Sequence, residues 1–427
     1  VIRVPSAEGK IMTDADRVVV HAPVHRREAS RATVTARIEL PDGARDMWFR
    51  GPEEILRARG ADAFVITCLP TAMRYGLPLD VEDTVSPRLL AQLDTVQDIL
   101  CKWHPGFRRV EVRAAASDPP AASPGGASAS FFSGGVDSFY TALKHRRDLS
   151  ALVMVHGFDL ALGQVDLRAR VGRKLREAAA SIGLPLVEIE TNSRMVTDGH
   201  ADWLYQQFGP ALAGLAMLLD GFDRVLMPSA ESYAHLDVVA SHPLLDPLWS
   251  TEYTTLVHDG CENDRNEKVA AICRHPAVLR WVRVCWENPG DAYNCGRCEK
   301  CIRTMLSLEA AGALERCTAF DAPLTAASVA SVEIPNRLVL YHFEESLDAL
   351  AAAGSRPDLA AVLERIVARA RARQLVESVR SLPRLPLTTP GLVRAAARRP
   401  GEIGPALVRR GARSVARRTR GLFGRGA

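Results

Sequence analysis

The sequence predicts an α/β protein built on a doubly wound parallel sheet, with a cysteine knuckle of the zinc type, an N-terminal α+β domain and a helical, basic C-terminal tail. Three observations carry this prediction. From Ser130 onward, short apolar runs alternate with stretches of helical period, as in strands joined by crossover helices and covered on both faces. The hexapeptide Ser133-Gly134-Gly135-Val136-Asp137-Ser138 lies between the apolar pair Phe131-Phe132 and a helical pattern through Val136, Phe139, Tyr140 and Leu143, which orders it as strand, glycine turn, helix. Three cysteines crowd into the seven residues 295–301.

Composition sets the frame. A chain of 427 residues holds two or three domains on the usual scale of about 100–200 residues each. Its 47% apolar and 24% charged residues are those of a globular protein rather than a disordered or fibrous one. No charged-then-apolar leader opens the sequence, and the most apolar helix candidate, from Phe208 to Leu219, is far shorter than the roughly 20 residues that span a bilayer. A cytoplasmic protein is expected. Under that expectation, clustering among the nine cysteines argues for metal rather than disulfides.

Residues 1–120 are expected to form a separate α+β unit. Alternation over Arg17 to Val24 and Ala32 to Leu40 predicts strands, with Pro41-Asp42-Gly43 as the turn of a hairpin. Asp62 to Leu69 is a further apolar run, and Ser86 to Trp103 has a helical period through Leu89, Leu93, Val96 and Leu100. Arg109 to Ala114 predicts a closing strand. No catalytic motif appears, so a substrate-shaping or homo-oligomerisation role is expected. Residues 114–128, rich in Ala, Ser, Pro and Gly, are expected to be a linker or exposed loop.

The central domain, residues 129–320, has strand-like runs at 129–132, 151–156, 186–191 and 224–228, with helix-like stretches at 137–147, 165–182 and 202–219 between them. Ligands of such sheets bind beyond the carboxyl ends of the strands, which marks the residues that follow each run. The glycine turn is the strongest of these places. Backbone N–H groups converge at a helix N-terminus, its dipole favours negative charge, and glycine permits close approach, so Ser133, Gly134, Gly135, Val136 and Ser138 are expected to cradle the phosphates of ATP. Asp137 offers carboxylate oxygens to Mg²⁺. His156, Ser229 and Glu231 end other strands and are candidate nucleotide contacts, with core or loop roles as the alternatives. Arg265 and Lys268, three apart, share one helical face. They either stabilise a pyrophosphate leaving group or line a solvated surface. The segment from His242 to Ser250, punctuated by Pro243 and Pro247 and carrying two ionisable groups and an anchoring Trp249, is expected to be a loop that closes over substrate or simply lies on the surface.

Cys295, Cys298 and Cys301 are spaced Cys-x₂-Cys-x₂-Cys, and Cys285 lies ten positions earlier. Four thiolates suit a closed, tetrahedral, structural Zn²⁺ site. An iron–sulfur cluster is the rival, and Cys273 or His275 are alternatives to Cys285 as fourth ligand. The hexapeptide resembles the PP-loop, Ser-Gly-Gly-x-Asp-Ser, of the N-type ATP pyrophosphatases. That loop followed by Cys-x₉-Cys-x₂-Cys-x₂-Cys is similar to the 7-cyano-7-deazaguanine synthase (QueC-like) family over roughly residues 129–310. The resemblance implies a PP-loop (HUP-like) fold, cleavage of ATP between its α and β phosphates, adenylation of a carboxylate and attack by ammonia or an amine. It places the loop on Ser133, Gly134, Gly135, Asp137 and Ser138 and the zinc on Cys285, Cys295, Cys298 and Cys301. The first 120 residues, the basic tail and the segment Pro228-Ser229-Ala230-Glu231-Ser232-Tyr233 depart from the family, so the chemistry of ATP activation is better matched than the deazaguanine substrate.

The last region, residues 321–427, has helical runs at 346–353 and 358–380, then a tail with twelve arginines from Arg380 to Arg425 against one acid, Glu402. That is 12 − 1 = +11, so the rest of the chain sums to 4 − 11 = −7. An anionic membrane surface, an acidic partner or nucleic acid are the expected partners of the tail, or it is a solvated extension. The expected activity is that of a ligase that releases AMP and pyrophosphate, acting on a small-molecule carboxylate and an ammonia or amine donor. A tRNA thiolase and a non-catalytic nucleotide-binding module that docks through the tail are the alternatives.

Overall fold

The structure is a computed structural model that describes residues 17–118 and 126–381. Most of the expected linker and all arginines after Arg380 lie outside the described residues. Strand β1 (Val18–Val20) is followed by β2 (Val24–Glu28), β3 (Arg31–Leu40) and β4 (Gly43–Pro52). Strand β3 buries Ala32, Val34, Ala36 and Ile38 in period two, and its antiparallel register with β4 closes at Leu40↔Gly43. The expected hairpin is therefore present, turning at Pro41 and Asp42.

Helix α1 (Asp62–Tyr75) occupies what reads in the sequence as a short apolar run. Every residue from Asp62 to Met73 is buried, so the helix has no polar stripe from which its period could be seen. Strand β5 (Leu79–Val85) leads to α2 (Pro87–Trp103), where Ser86 caps the first turn by accepting from the Leu89 N–H at 3.0 Å. Strand β6 (Val112–Ala116) ends this part of the chain.

The second part alternates as expected: β7 (Ser128–Phe131), α3 (Val136–Lys144), β8 (Ala151–His156), α4 (Val165–Ile182), β9 (Leu186–Thr191), α5 (Ser193–Thr197), α6 (Phe208–Ala216) and β10 (Arg224–Pro228). A fifth strand, β11 (Thr255–Asp259), pairs parallel with β10. It is an edge strand of five residues, too short and too little buried to stand out from its surroundings in the sequence. Helices α7 (Arg265–Ile272), α8 (Pro276–Trp281), α9 (Glu299–Ala310), α10 (Ala326–Ala330), α11 (Arg337–Ala353) and α12 (Pro357–Ser381) complete the described chain.

The eleven strands of the described residues form one sheet, in the order β11-β10-β7-β8-β9-β4-β3-β1-β5-β6, with β2 paired to β3. Strands β11, β10, β7, β8 and β9 are mutually parallel. Alternate residues of these strands serve two cores. Ala129, Phe131, Val153, Val225 and Met227 pack with α1 and α6 on one face, while Leu152, Met154 and Leu226 pack with α3, α4 and α7 on the other. Gly214 of α6 allows the close approach to α1: a Cβ there would lie 2.5 Å from the Ala63 carbonyl oxygen.

The first 120 residues were expected to be a separate unit, yet their strands continue the central sheet. Strand β4 pairs antiparallel with β9 through Phe49↔Thr191 and Arg50↔Glu190. Asn192 clamps the seam, its Oδ1 accepting from the Trp48 N–H at 2.8 Å and its Nδ2 donating to the Asp46 carbonyl at 2.7 Å. One core extends from Val18 to Leu256 across that seam. A further core, around Leu306, Phe343, Leu363 and Val367, joins α9 to the helices after it. Among the described residues no helix is long and apolar enough to cross a membrane.

Candidate functional site

In the parallel half of the sheet the chain starts at β7, winds outward to β9 and returns to the other side of β7 with β10. The strand order reverses between β7 and β10, and the crevice beyond their carboxyl ends is where such a sheet presents a ligand site. The glycine turn after β7 and the residues after β10 both open onto that crevice.

The turn has the geometry its sequence demands. Gly134 has φ +78°, and a Cβ there would come within 2.5 Å of Leu175 Cδ2 on α4. Its carbonyl accepts from the Arg283 N–H at 2.8 Å. Gly135 is the extended N-cap of α3, so the first N–H groups of the helix point out of the turn. Ser133 Oγ accepts from the Gly135 N–H at 3.3 Å, and Ser138 Oγ donates to the Gly135 carbonyl at 3.0 Å.

Asp137, in the first turn of α3, faces two buried cations of α7. Arg265 Nη1 lies 3.4 Å from Oδ2 and Lys268 Nζ lies 3.5 Å from Oδ1. Burial alone would push this carboxyl up, but Lys268, Arg265, Arg303 and Lys300 outweigh it and hold Asp137 below the usual carboxylate range. The face of α7 that carries Arg265 and Lys268 is buried, not solvated. Asp264 and Glu267 form a capping box that starts the helix at the register which turns that face inward. Lys268 Nζ also donates to the Ser229 carbonyl at 2.7 Å, joining the β10 end to the β7 turn. Burial and the neighbouring Arg303 lower the Arg265 guanidinium to about 10, against the opposing pull of Asp137.

Ser229 Oγ and the Glu231 backbone bond each other at 2.9 and 3.1 Å, forming a tight turn. The Glu231 side chain is buried with Oε2 unpartnered among the described residues, and burial, with Asp237 and Asp137 adding to it, raises its carboxyl to about 7. His156, the remaining strand-end candidate, turns to Glu188 instead, with Nε2 2.9 Å from Oε2 and Nδ1 unpartnered. The structure thus joins Asp137, Arg265, Lys268 and Ser229 through direct contacts, sets Glu231 next to them, and gives His156 a different partner.

Several residues at the site were not singled out in the sequence. Thr304 of α9 accepts from Arg265 Nη2 at 2.9 Å. Arg303 is buried with Glu299 3.2 Å away. From α11 come His342 and Glu345, whose Nδ1 and Oε2 are 3.2 Å apart. Burial, Arg303 and Arg265 push His342 well below its ordinary value, so it is neutral, while burial raises Glu345 to about 7. The cations Lys268, Arg265, Arg303 and Lys300 therefore face Asp137, held below the usual carboxylate range, and Glu299, while burial raises Glu231 and Glu345 toward neutrality. That balance suits an anion. No contiguous motif announces these groups, because they come from helices far along the chain and meet only through packing.

Cys285, Cys295, Cys298 and Cys301 bring their sulfur atoms within 4.8 Å of one another and could hold a zinc ion. Cys273 and His275 are not part of this group. The donor set fits a cation: four thiolates packed this closely repel one another, so they ionise together only around positive charge. Asn294 fastens the knuckle, its Oδ1 accepting from the Val284 N–H at 2.9 Å and its Nδ2 donating to the Val282 and Ala319 carbonyls. Cys298 is the N-cap of α9, the helix that carries Arg303 and Thr304. The knuckle therefore fixes the start of the helix that supports Arg265. Comparison with known proteins gives no matching family model, no matching curated protein and no matching solved structure.

Proposed function

We propose that the chain is an ATP-dependent ligase that adenylates a carboxylate, releases pyrophosphate, and passes the acyl group to ammonia or an amine. The observation that carries this is the Asp137 carboxylate at the N-terminus of α3, held in a sheet crevice between the buried cations Arg265 and Lys268. The N–H groups after Gly134 and Gly135 receive phosphate oxygens, and the positive φ of Gly134 brings the backbone close enough to do so. Asp137, whose Oδ1 has no hydrogen-bond partner among the described residues and faces Lys268 across 3.5 Å, would be the carboxylate that holds Mg²⁺. Lys268 and Arg265 offset the charge that gathers on pyrophosphate as the bond to the α-phosphate breaks. The zinc knuckle holds α9 in place and takes no part in bond making.

The resemblance to 7-cyano-7-deazaguanine synthases makes 7-carboxy-7-deazaguanine the first acid to try. Incubation of the protein with ATP, Mg²⁺, ammonium and a panel of carboxylic acids that includes it tests the proposal. AMP and pyrophosphate are the expected products with one acid of the panel. ADP and orthophosphate, or bound ATP that is never cleaved, would count against it.

A further inference from the structure

Lysine and arginine side chains buried among the described residues have carboxylate partners, with one exception. Lys268 and Arg265 face Asp137, and Arg303 faces Glu299. Asp246, fully buried in the segment from His242 to Ser250 that was expected to lie over substrate or on the surface, is likewise paired, its Oδ2 2.6 Å from His258 Nδ1. The exception is Arg283, between α8 and the cysteine knuckle. It is only 5% exposed, and among the described residues no carboxylate lies within ion-pair distance of it. Of the N–H donors of its guanidinium, one is engaged: Nη2 donates to Asn288 Oδ1 at 2.5 Å. Nε is buried and has no partner among the described residues. A cation left in this way costs free energy until an anion arrives to pair with it.

Arg283 lies against the glycine turn. Its N–H donates to the Gly134 carbonyl at 2.8 Å, and a Cβ on Gly134 would lie 3.6 Å from the Arg283 Cβ. Asn288 aims the guanidinium. It takes the left-handed conformation, with φ +50°, and its Nδ2 donates to the Asp159 carbonyl at 2.8 Å. Asp159 follows the carboxyl end of β8, which pairs parallel with β7, so the guanidinium is tied to the same end of the sheet as the turn. The strand order fixes its side. Strands β8 and β10 flank β7 on opposite sides. Lys268 is bonded to the Ser229 carbonyl after β10, whereas Arg283 is tied through Asn288 to the loop after β8. The N-terminus of α3 is therefore bracketed by buried cations. The knuckle holds the segment that carries Arg283: Asn294 accepts from the Val284 N–H and donates to the Val282 carbonyl, each at 2.9 Å.

We propose that Arg283 is a phosphate-binding residue, and that with Lys268 and Arg265 on the other side of the turn it fits the site to a pyrophosphate group rather than to a single phosphate. This deepens the reading given above and rests on the nucleotide phosphates lying at this turn. The free donors of the guanidinium grip phosphate oxygens in the planar, two-pronged way that arginine allows. The α3 N–H groups take the centre of the anion, and the cations on the β10 side take its other end. Because Arg283 is already buried and fixed by Asn288 and Asn294, little of its freedom is left to lose on binding.

The test is isothermal titration calorimetry of the full chain with Mg²⁺, using inorganic pyrophosphate and orthophosphate as separate probes at one salt concentration. The unaltered protein is expected to bind pyrophosphate at least about tenfold more tightly than orthophosphate. Arg283→Gln is expected to weaken pyrophosphate binding by at least about tenfold, and Arg283→Lys, which keeps the charge without the fork, to fall between. The urea midpoint of each variant confirms its folding, and the lysine variant carries the test if the glutamine variant does not fold. No binding of pyrophosphate, equal affinity for the two anions, or unaltered pyrophosphate affinity in a folded variant overturns the proposal. Neither probe requires the acid that the chain activates. Pyrophosphate binding that depends on Arg283, in a protein that never cleaves ATP, would therefore count against the adenylation and leave this inference standing.

Discussion

A half-buried carboxylate between two buried cations holds only as a set, and the acids Glu231 and Glu345 near Asp137 differ from it because burial outweighs their cations. Glu231 is the clearest case. Its folded value of about 7 lies above the ordinary 4.5 because burial disfavours the charged form. The folded state therefore binds this proton more tightly than the unfolded one. The sign follows: Glu231 costs nothing below its ordinary value, and its cost grows as pH rises through about 7. Glu231→Gln is expected to raise stability at pH 8 by about 1–3 kcal/mol, with the gain fading near pH 4.5. Urea unfolding at the two values checks this, and an equal effect at both would contradict the assignment. The sequence pointed to Glu231 through its place after a strand, but nothing local shows that its carboxyl is left without a partner. Arg265 and Lys268 could be paired from their spacing, whereas the inward turn of their face depends on packing against α3 and α9.

At the scale of the elements, the site is two turns and the helices they start. The β7–α3 turn was legible because all its demands fall on six consecutive residues. Gly134→Ala tests how tightly it is built: the positive φ and the contact with Leu175 predict a loss of about 1–3 kcal/mol in denaturant unfolding. The knuckle was legible for the same reason, but its connection to the site was not. The path runs from Cys298 at the start of α9, through Thr304, to Arg265 and Asp137, and every step after the first is a tertiary contact. Removing the metal with a chelator is expected to release one zinc per chain and lower the melting temperature by at least about 5 °C. It should also reduce pyrophosphate formation, because α9 no longer holds Arg265. Unchanged melting after complete metal release would show that the four cysteines do not support the fold.

For the molecule as a whole, the alternation of strands and helices gave the parallel half of the sheet, and the β4–β9 seam was the part that could not be read. Antiparallel pairing between strands so far apart in the chain leaves no local pattern, and Asn192, which clamps it, looks in the sequence like an ordinary cap. Likewise α11 brings His342 and Glu345 to the site from far along the chain. The fold therefore gathers cations and acids from elements along the described chain at one crevice, with Asp137 as the group on which the proposed chemistry turns. Its most direct test is ATP–pyrophosphate exchange in the presence of the activated acid, by the unaltered protein and by Asp137→Asn, with the variant's folding confirmed by its urea midpoint. The unaltered protein is predicted to exchange label and the folded variant to do so at least about 100-fold more slowly. Exchange by the folded variant at the unaltered rate would contradict the account.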